Sequence, residues 1–169
     1  MKMNRFLIFA IIISLCSCSD IVSEESNELL VVRVERKTIA KDLIKSGVSY
    51  YQQGQTVTLT VPSDKLFKPG TTVSRVRSDR YYKDIVALIN SYRVEKVEIQ
   101  SHLMADKSSL NKDYSRTQAQ MVQESLKTNG INAGIVVSKG MIDSMAKGKY
   151  GLNKENYIKI QFRFLRILV

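Results

Sequence analysis

The sequence of 169 residues is poor in several residue types: it has two prolines, two cysteines, one histidine and no tryptophan. With two prolines and eight glycines it is neither collagen-like nor of low complexity. The single histidine, His102, has no cysteine or acidic cluster beside it in the sequence, so it does not predict a metal site. Composition therefore indicates an ordinary globular chain, large enough for one domain.

Patterns typical of catalysis are missing as well. The sequence has no Ser-His-Asp set, no paired carboxylates at a known spacing and no nucleophilic cysteine outside its N-terminal segment. We therefore predict that the protein is not an enzyme and that it needs no cofactor.

Long hydrophobic runs are also absent, because the apolar run near the N-terminus covers only residues 6–15. A membrane-spanning helix needs about 20 apolar residues, so the basic start and short run predict a signal peptide over residues 1–17. The group Leu15-Cys16-Ser17-Cys18 resembles a bacterial lipobox. Cys18 is the predicted lipidation site because the small Ser17 precedes it. The alternative is an ordinary secretory leader with two incidental cysteines.

Cleavage before Cys18 removes Cys16 and leaves Cys18 blocked by diacylglycerol and an N-acyl chain, so no disulfide is possible. Several acyl chains on one cysteine give stable attachment to a membrane. Ser19 follows the modified residue, which resembles lipoproteins sorted to the outer membrane. Residues 18–28 are polar and without a period, and they predict a short lipidated tether.

The formal charge is +10, of which Lys2 and Arg5 lie in the leader, leaving about +8 on the mature chain. Such a charge suits an anionic partner: nucleic acid, lipid head groups or an acidic wall polymer. The cations are scattered and no compact basic run contains interleaved aromatic residues. Together with the leader, this argues against nucleic acid.

Apolar spacing predicts an α+β chain. An N-terminal extension over residues 29–56, expected to pack on the domain, contains a strand (29–36), a short helix (37–46) and the start of a hairpin around Gly54. The remaining predictions are a strand at 56–61, a helix at 80–92 capped by Ser78-Asp79, a strand at 94–100 followed by a polar loop, a helix at 114–129, a strand at 133–139 with a turn at Gly140-Met141, a basic loop at 144–155 and a closing strand at 156–164.

Part of this order is similar to the OmpA-like, peptidoglycan-associated domain. The carriers of the resemblance are a strand, a polar loop with Asn111, a helix opening at Tyr114-Ser115 with Ala119, and a closing Gly130-Ile131. A turn with Phe67, Gly70, Thr71 and Val73 matches as well. The resemblance assigns residues 57–169 to this domain and implies a two-layer sandwich of order β-α-β-α-β-β.

In that family an Asp after the strand and an Arg in the helix hold the ammonium and carboxylate of the peptidoglycan stem peptide. At these positions the sequence has Leu103 and Gln118. The candidate binding residues for peptidoglycan or a partner are therefore His102, Asp106, Asn111 and Gln118. Two hypotheses follow: a degenerate pocket in a domain that docks onto proteins, or a wall anchor that uses Asp106, Asn111 and Gln118.

A narrower resemblance is to a lipoprotein of type IVB secretion systems. It is carried by residues 56–70, by residues 89–92 and by Ser115, Gln118 and Ala119. It implies a structural subunit of an outer-membrane core complex, on the periplasmic face, whose partners are other core subunits.

Overall fold

The structure is a computed structural model that describes residues 21–104, 109–143 and 156–165, with side chains from Val32 onward. The predicted signal peptide, Cys18, Asp106 and the basic loop 144–155 lie outside these residues. The chain divides into two compact units, Met1–Lys37 and Thr38–Val169. No helix in the described ranges combines the length and apolarity needed to cross a bilayer.

In the first unit the described residues are helical and belong to α1 (Ile21–Lys45). The strand predicted at 29–36 is therefore wrong, while the helix predicted at 37–46 is confirmed as the last part of α1. Residues 21–28 of the predicted tether also have helical backbone. A valine costs a helix less than about 1 kcal/mol, and here the valines are flanked by Glu, Arg and Lys, which favour helix. No described strand pairs with this segment, and a strand without a neighbour is not stable.

The second unit holds a five-stranded sheet with the order β1-β2-β5-β3-β4, in which only β3 and β4 run parallel. From β2 onward the elements follow the predicted order β-α-β-α-β-β, so the α+β sandwich is confirmed. The elements are β1 (Ser49–Gln53), β2 (Thr56–Pro62), the short α2 (Ser63–Leu66), α3 (Ser78–Asn90), β3 (Val94–Met104), α4 (Ser109–Thr128), β4 (Ala133–Asp143) and β5 (Tyr157–Phe164).

Helices and sheet meet in one core on one side of the sheet. The helix predicted at 114–129 is confirmed within α4, where Ala119, Val122 and Leu126 are fully buried. Phe67 is buried in the same core. In α3 the Tyr82 side chain is buried in the core, whereas Tyr81 is half-buried and donates a hydrogen bond to the Ser46 carbonyl.

Several predicted boundaries are wrong. Strand β3 continues to Met104 and α4 begins at Ser109, so Asn111 lies in the first turn of a helix and not in a loop. Arg77, and not Ser78-Asp79, occupies the N-cap of α3. The turn predicted at Gly140-Met141 is a continuation of β4. Pairing between β3 and β4 runs as far as Met104 and Asp143. The additional backbone hydrogen bonds explain why both strands extend beyond the residues predicted from their apolar pattern.

Candidate functional site

Gln118 lies on the face of α4 that packs against the sheet, and its side chain is fully engaged. Its Oε1 accepts a hydrogen bond from Ser101 Oγ at 3.1 Å. Its Nε2 lies 3.0 Å from Tyr114 Oη, 3.3 Å from the Thr71 carbonyl and 3.4 Å from Ser63 Oγ. Only 1 % of the residue is exposed. The amide therefore joins α4 to β3 and to the turn after α2, and both of its polar atoms have partners within the chain.

Ser115 fixes the same end of α4 to the sheet. Its Oγ lies 2.8 Å from the Ser101 carbonyl and 3.1 Å from the Met141 carbonyl, and it is fully buried. A single hydroxyl hydrogen is thus shared between β3 and β4. Close approach is possible because Gly140 presents no side chain here.

His102 belongs to a different place, on the opposite face of β3. Its Nδ1 lies 2.9 Å from Asp143 Oδ2 and its Nε2 lies 3.1 Å from Gln100 Oε1. The imidazole stacks on the Tyr157 ring at 4.4 Å, and the Tyr157 hydroxyl donates to Asp143 at 3.2 Å. Burial, together with the negative charge of Asp143 and the hydrogen bond to it, raises the pKa of Tyr157 to about 12.

Of the four sequence-predicted binding residues, the structure describes three and does not bring His102 and Gln118 together. The sheet separates these two side chains, since successive residues of a strand point to opposite faces and Gln118 contacts Ser101. Asn111 is half-buried in the first turn of α4. The binding roles of all four residues stay predictions.

A cavity of about 450 Å³ is lined in part by Tyr114 and Ser63, two of the residues that hydrogen-bond to Gln118. Burial raises the pKa of Tyr114, whose hydroxyl donates to the Thr71 carbonyl at 2.8 Å. Asn156 closes another side, because its Oδ1 accepts from the Met104 N–H at 2.9 Å and its carbonyl accepts from the Ser63 N–H at 2.8 Å. The lining residues are Ser63, Asp64, Phe67, Lys68, Pro69, Gly70, Met104, Tyr114 and Asn156.

Two of these lining residues, Asp64 and Lys68, were missed by the sequence analysis. Both are exposed, and neither forms an ion pair with any residue in the described ranges. A carboxylate and an ammonium on one cavity can bind a ligand that carries both charges. The sequence feature that points to them is a pair of opposite charges four residues apart, one on each side of the buried Phe67.

No family model matches the sequence, and no curated protein matches it. Solved structures do match. A MotB-like protein from Desulfovibrio vulgaris aligns with a TM-score of 0.61 at 15% identity, covering 80% of this chain and 95% of that one. The cell wall anchor of the T6SS from Pseudomonas aeruginosa gives 0.59 at 17%, over 76% and 96%. The periplasmic domain of Helicobacter pylori MotB gives 0.56 at 18%, over 70% and 80%.

This chain has the fold of the MotB periplasmic domain. The OmpA-like architecture predicted from the sequence is thereby confirmed. At 15 to 18% identity, these likenesses show the fold and not the ligand.

Proposed function

We propose that this chain is a non-catalytic, lipid-anchored domain of the bacterial cell envelope that docks onto other subunits of an outer-membrane secretion assembly. The observation that carries the proposal is the environment of Gln118. This residue stands where the OmpA-like resemblance places an arginine, and its amide is buried and hydrogen-bonded to four groups within the chain. Leu103, in place of the expected aspartate, is buried as well.

Loss of both charged groups matters because the stem peptide offers an ammonium and a carboxylate on one centre. Charge-assisted hydrogen bonds are roughly twice as strong as neutral ones, and a guanidinium binds a carboxylate through two parallel bonds. Neither Leu103 nor Gln118 can supply such bonds. The ancestral pocket is therefore used to hold α4 on the sheet, and the surface is left to bind protein.

Support for the location comes from the leader. Leu15, Ser17 and Cys18 match the lipobox, and Ser19 matches sorting to the outer membrane, where the domain would face the periplasm. The narrower sequence resemblance is to the lipoprotein IcmN/DotK of type IVB (Dot/Icm) secretion systems. The T6SS cell wall anchor among the structural neighbours is a protein of a secretion machine with the same fold.

The test is the size and location of the full-length protein. Extracted from the envelope in mild detergent through an affinity tag, it should elute with a large assembly. Its Cys18→Ser variant should leave the membrane fraction. Elution as a single chain, with the wild type and Cys18→Ser fractionating alike, would contradict both the docking role and the lipid anchor.

A second function, a wall anchor, is favoured by the cavity beside Tyr114. Asp64 and Lys68 carry opposite charges on that cavity and could replace the lost pair for a stem peptide. Asp106, Asn111 and Gln118 remain the sequence-based candidates for the same role. Purified sacculi should then bind the mature chain and release no muropeptides.

A matched pair of variants separates the two functions. Asp64→Ala with Lys68→Ala should abolish binding to sacculi if the cavity grips the wall. Lys112→Ala with Asp113→Ala removes the same charges from exposed positions of α4 outside the cavity and should leave binding unchanged. Sacculi that fail to bind the wild-type chain would leave docking as the function.

A further inference from the structure

In the described part of the unit Thr38–Val169, one face of the sheet carries no helix. In β3 and β5 the residues that alternate with the buried Val97, Ile99, Ile160 and Phe162 point to this other side. Within the unit Thr38–Val169, the described residues leave this face uncovered: Tyr51, Ile135 and Val137 on its two edge strands are 62, 51 and 38 % exposed. We call it the open face, and it comprises Tyr51, Thr58, Thr60, Lys96, Glu98, Gln100, His102, Ile135, Val137, Lys139, Asp143, Tyr157, Lys159, Gln161 and Arg163.

The acidic groups of the open face are already engaged. Glu98 lies 2.7 Å from Lys139 Nζ and accepts a hydrogen bond from Gln100 at 2.9 Å. These hydrogen bonds, from Lys139 first and Gln100 second, lower the pKa of Glu98. Asp143 accepts from Tyr157 and faces His102 Nδ1. The carboxylates on this face therefore have their partners within it.

Three cations remain: Lys96, Lys159 and Arg163. None of them forms an ion pair with a residue of the described ranges. Lys96 and Arg163 are directly opposite each other on β3 and β5. Like charges in that arrangement destabilise a sheet, and an anion lying over both would remove the repulsion.

We propose that the open face binds the anionic headgroup surface of a membrane through Lys96, Lys159 and Arg163. These cations stand on the adjacent strands β3 and β5 of the open face. Lipid phosphates move laterally, so a bilayer can neutralise cations at any spacing. Tyr51, Ile135 and Val137 flank the cations with the aromatic and aliphatic side chains that suit an interface. A second copy of the chain is a poor occupant, because a two-fold contact through this face would set cations against cations.

This inference goes beyond the docking function, and it rests on the proposed lipid anchor for its place in the cell. An anchored domain is held near the bilayer at high effective concentration, so three cations suffice to orient it. Each basic residue near an anionic surface contributes about fivefold in affinity, so the three together contribute about a hundredfold.

The test is co-sedimentation of the chain without residues 1–18, which keeps the compact unit that begins at Thr38. The chain should sediment with vesicles of equimolar phosphatidylcholine and phosphatidylglycerol and stay in solution with pure phosphatidylcholine. The triple variant Lys96→Gln, Lys159→Gln, Arg163→Gln should lose about a hundredfold in binding. The control triple variant Lys41→Gln, Arg77→Gln, Lys112→Gln should retain binding. It neutralises exposed cations off the open face that form no ion pair within the described ranges.

Arg163→Glu serves as a second variant whose folding is not in question, because it places a carboxylate opposite Lys96. It changes the charge by two and should weaken vesicle binding about 25-fold. Equal losses in the two triple variants would overturn the proposal. So would an absence of vesicle binding, and if Arg163→Glu then also released the chain from its envelope assembly, the face would dock an acidic protein. The vesicle test uses no anchor and no assembly, so it can fail while the docking function stands.

Discussion

Gly140 of β4 lies against the backbone of Ser115 in α4. A Cβ atom at position 140 would come within 2.8 Å of both the Ser115 carbonyl carbon and its Oγ, and closer still to the Arg116 nitrogen. Real Cβ atoms do not approach backbone so closely, so only glycine fits. The contact brings the Ser115 hydroxyl within reach of two strands at once.

Gly140→Ala should therefore destabilise the fold, because helix and strand must separate to admit a methyl group. Overpacking of this kind costs about 1–3 kcal/mol. Urea unfolding followed by circular dichroism measures the loss. Gly134→Ala in the same strand is the control, since its Cβ would meet only the Glu95 carbonyl oxygen, at 3.3 Å, and its cost should be smaller. Equal stability of wild type and Gly140→Ala would show that α4 does not pack as closely on Gly140 as this contact requires.

Gln118→Ala tests whether the buried amide acts as a structural link. The substitution removes the acceptor of Ser101 Oγ and a donor to Ser63 Oγ, and both serines are buried. Leaving buried polar groups without partners costs about 1–3 kcal/mol. Unfolding free energy should fall by that amount, whereas Gln120→Ala, at an exposed position of the same helix, should change it little. An unchanged stability together with lost wall binding would instead make Gln118 a ligand group.

Arg163→Glu should raise stability while it weakens membrane binding. It replaces a cation opposite Lys96 with an anion, and such cross-strand pairs contribute about 0.2–1 kcal/mol. Thermal unfolding at low salt measures the gain, which should shrink at high salt because both residues are exposed. Thr56 lies opposite Arg163 on the other neighbouring strand, so Thr56→Glu should raise stability in the same way by placing a carboxylate beside Arg163.

Sequence predicted best what depends on residues close together in the chain. The spacing of Ala119, Val122 and Leu126 marks one helix face, and all three are buried. Gly54 has the positive φ of 58° that the hairpin turn requires. Both features follow from local geometry, so neither needed knowledge of the tertiary structure.

Contacts between distant segments explain the failures. The β-branched run at 29–36 reads as a strand only if another strand is available, and the described sheet offers it none. Gly140 reads as a turn because its actual role, admitting Ser115, depends on a residue 25 positions away. Asp64 lies in α2 and Lys68 follows it, and both line the cavity. The position of this four-residue helix was not predicted from the sequence, so neither was the position of these two charges.

Tyr157 gives a prediction at high pH. The phenol has a pKa of about 12 in the folded chain and about 10 when unfolded, because burial and Asp143 disfavour its anion. Between these values the unfolded chain releases a proton that the folded chain keeps. The contribution of Tyr157 to the free energy of unfolding is therefore fully present below about pH 10 and falls as the pH rises to about 12. Melting temperatures across this range should fall less steeply for Tyr157→Phe than for wild type, whereas Tyr51→Phe, at an exposed tyrosine, should follow the wild-type curve. Identical slopes for wild type and Tyr157→Phe would mean that the phenol and Asp143 are not in contact in solution.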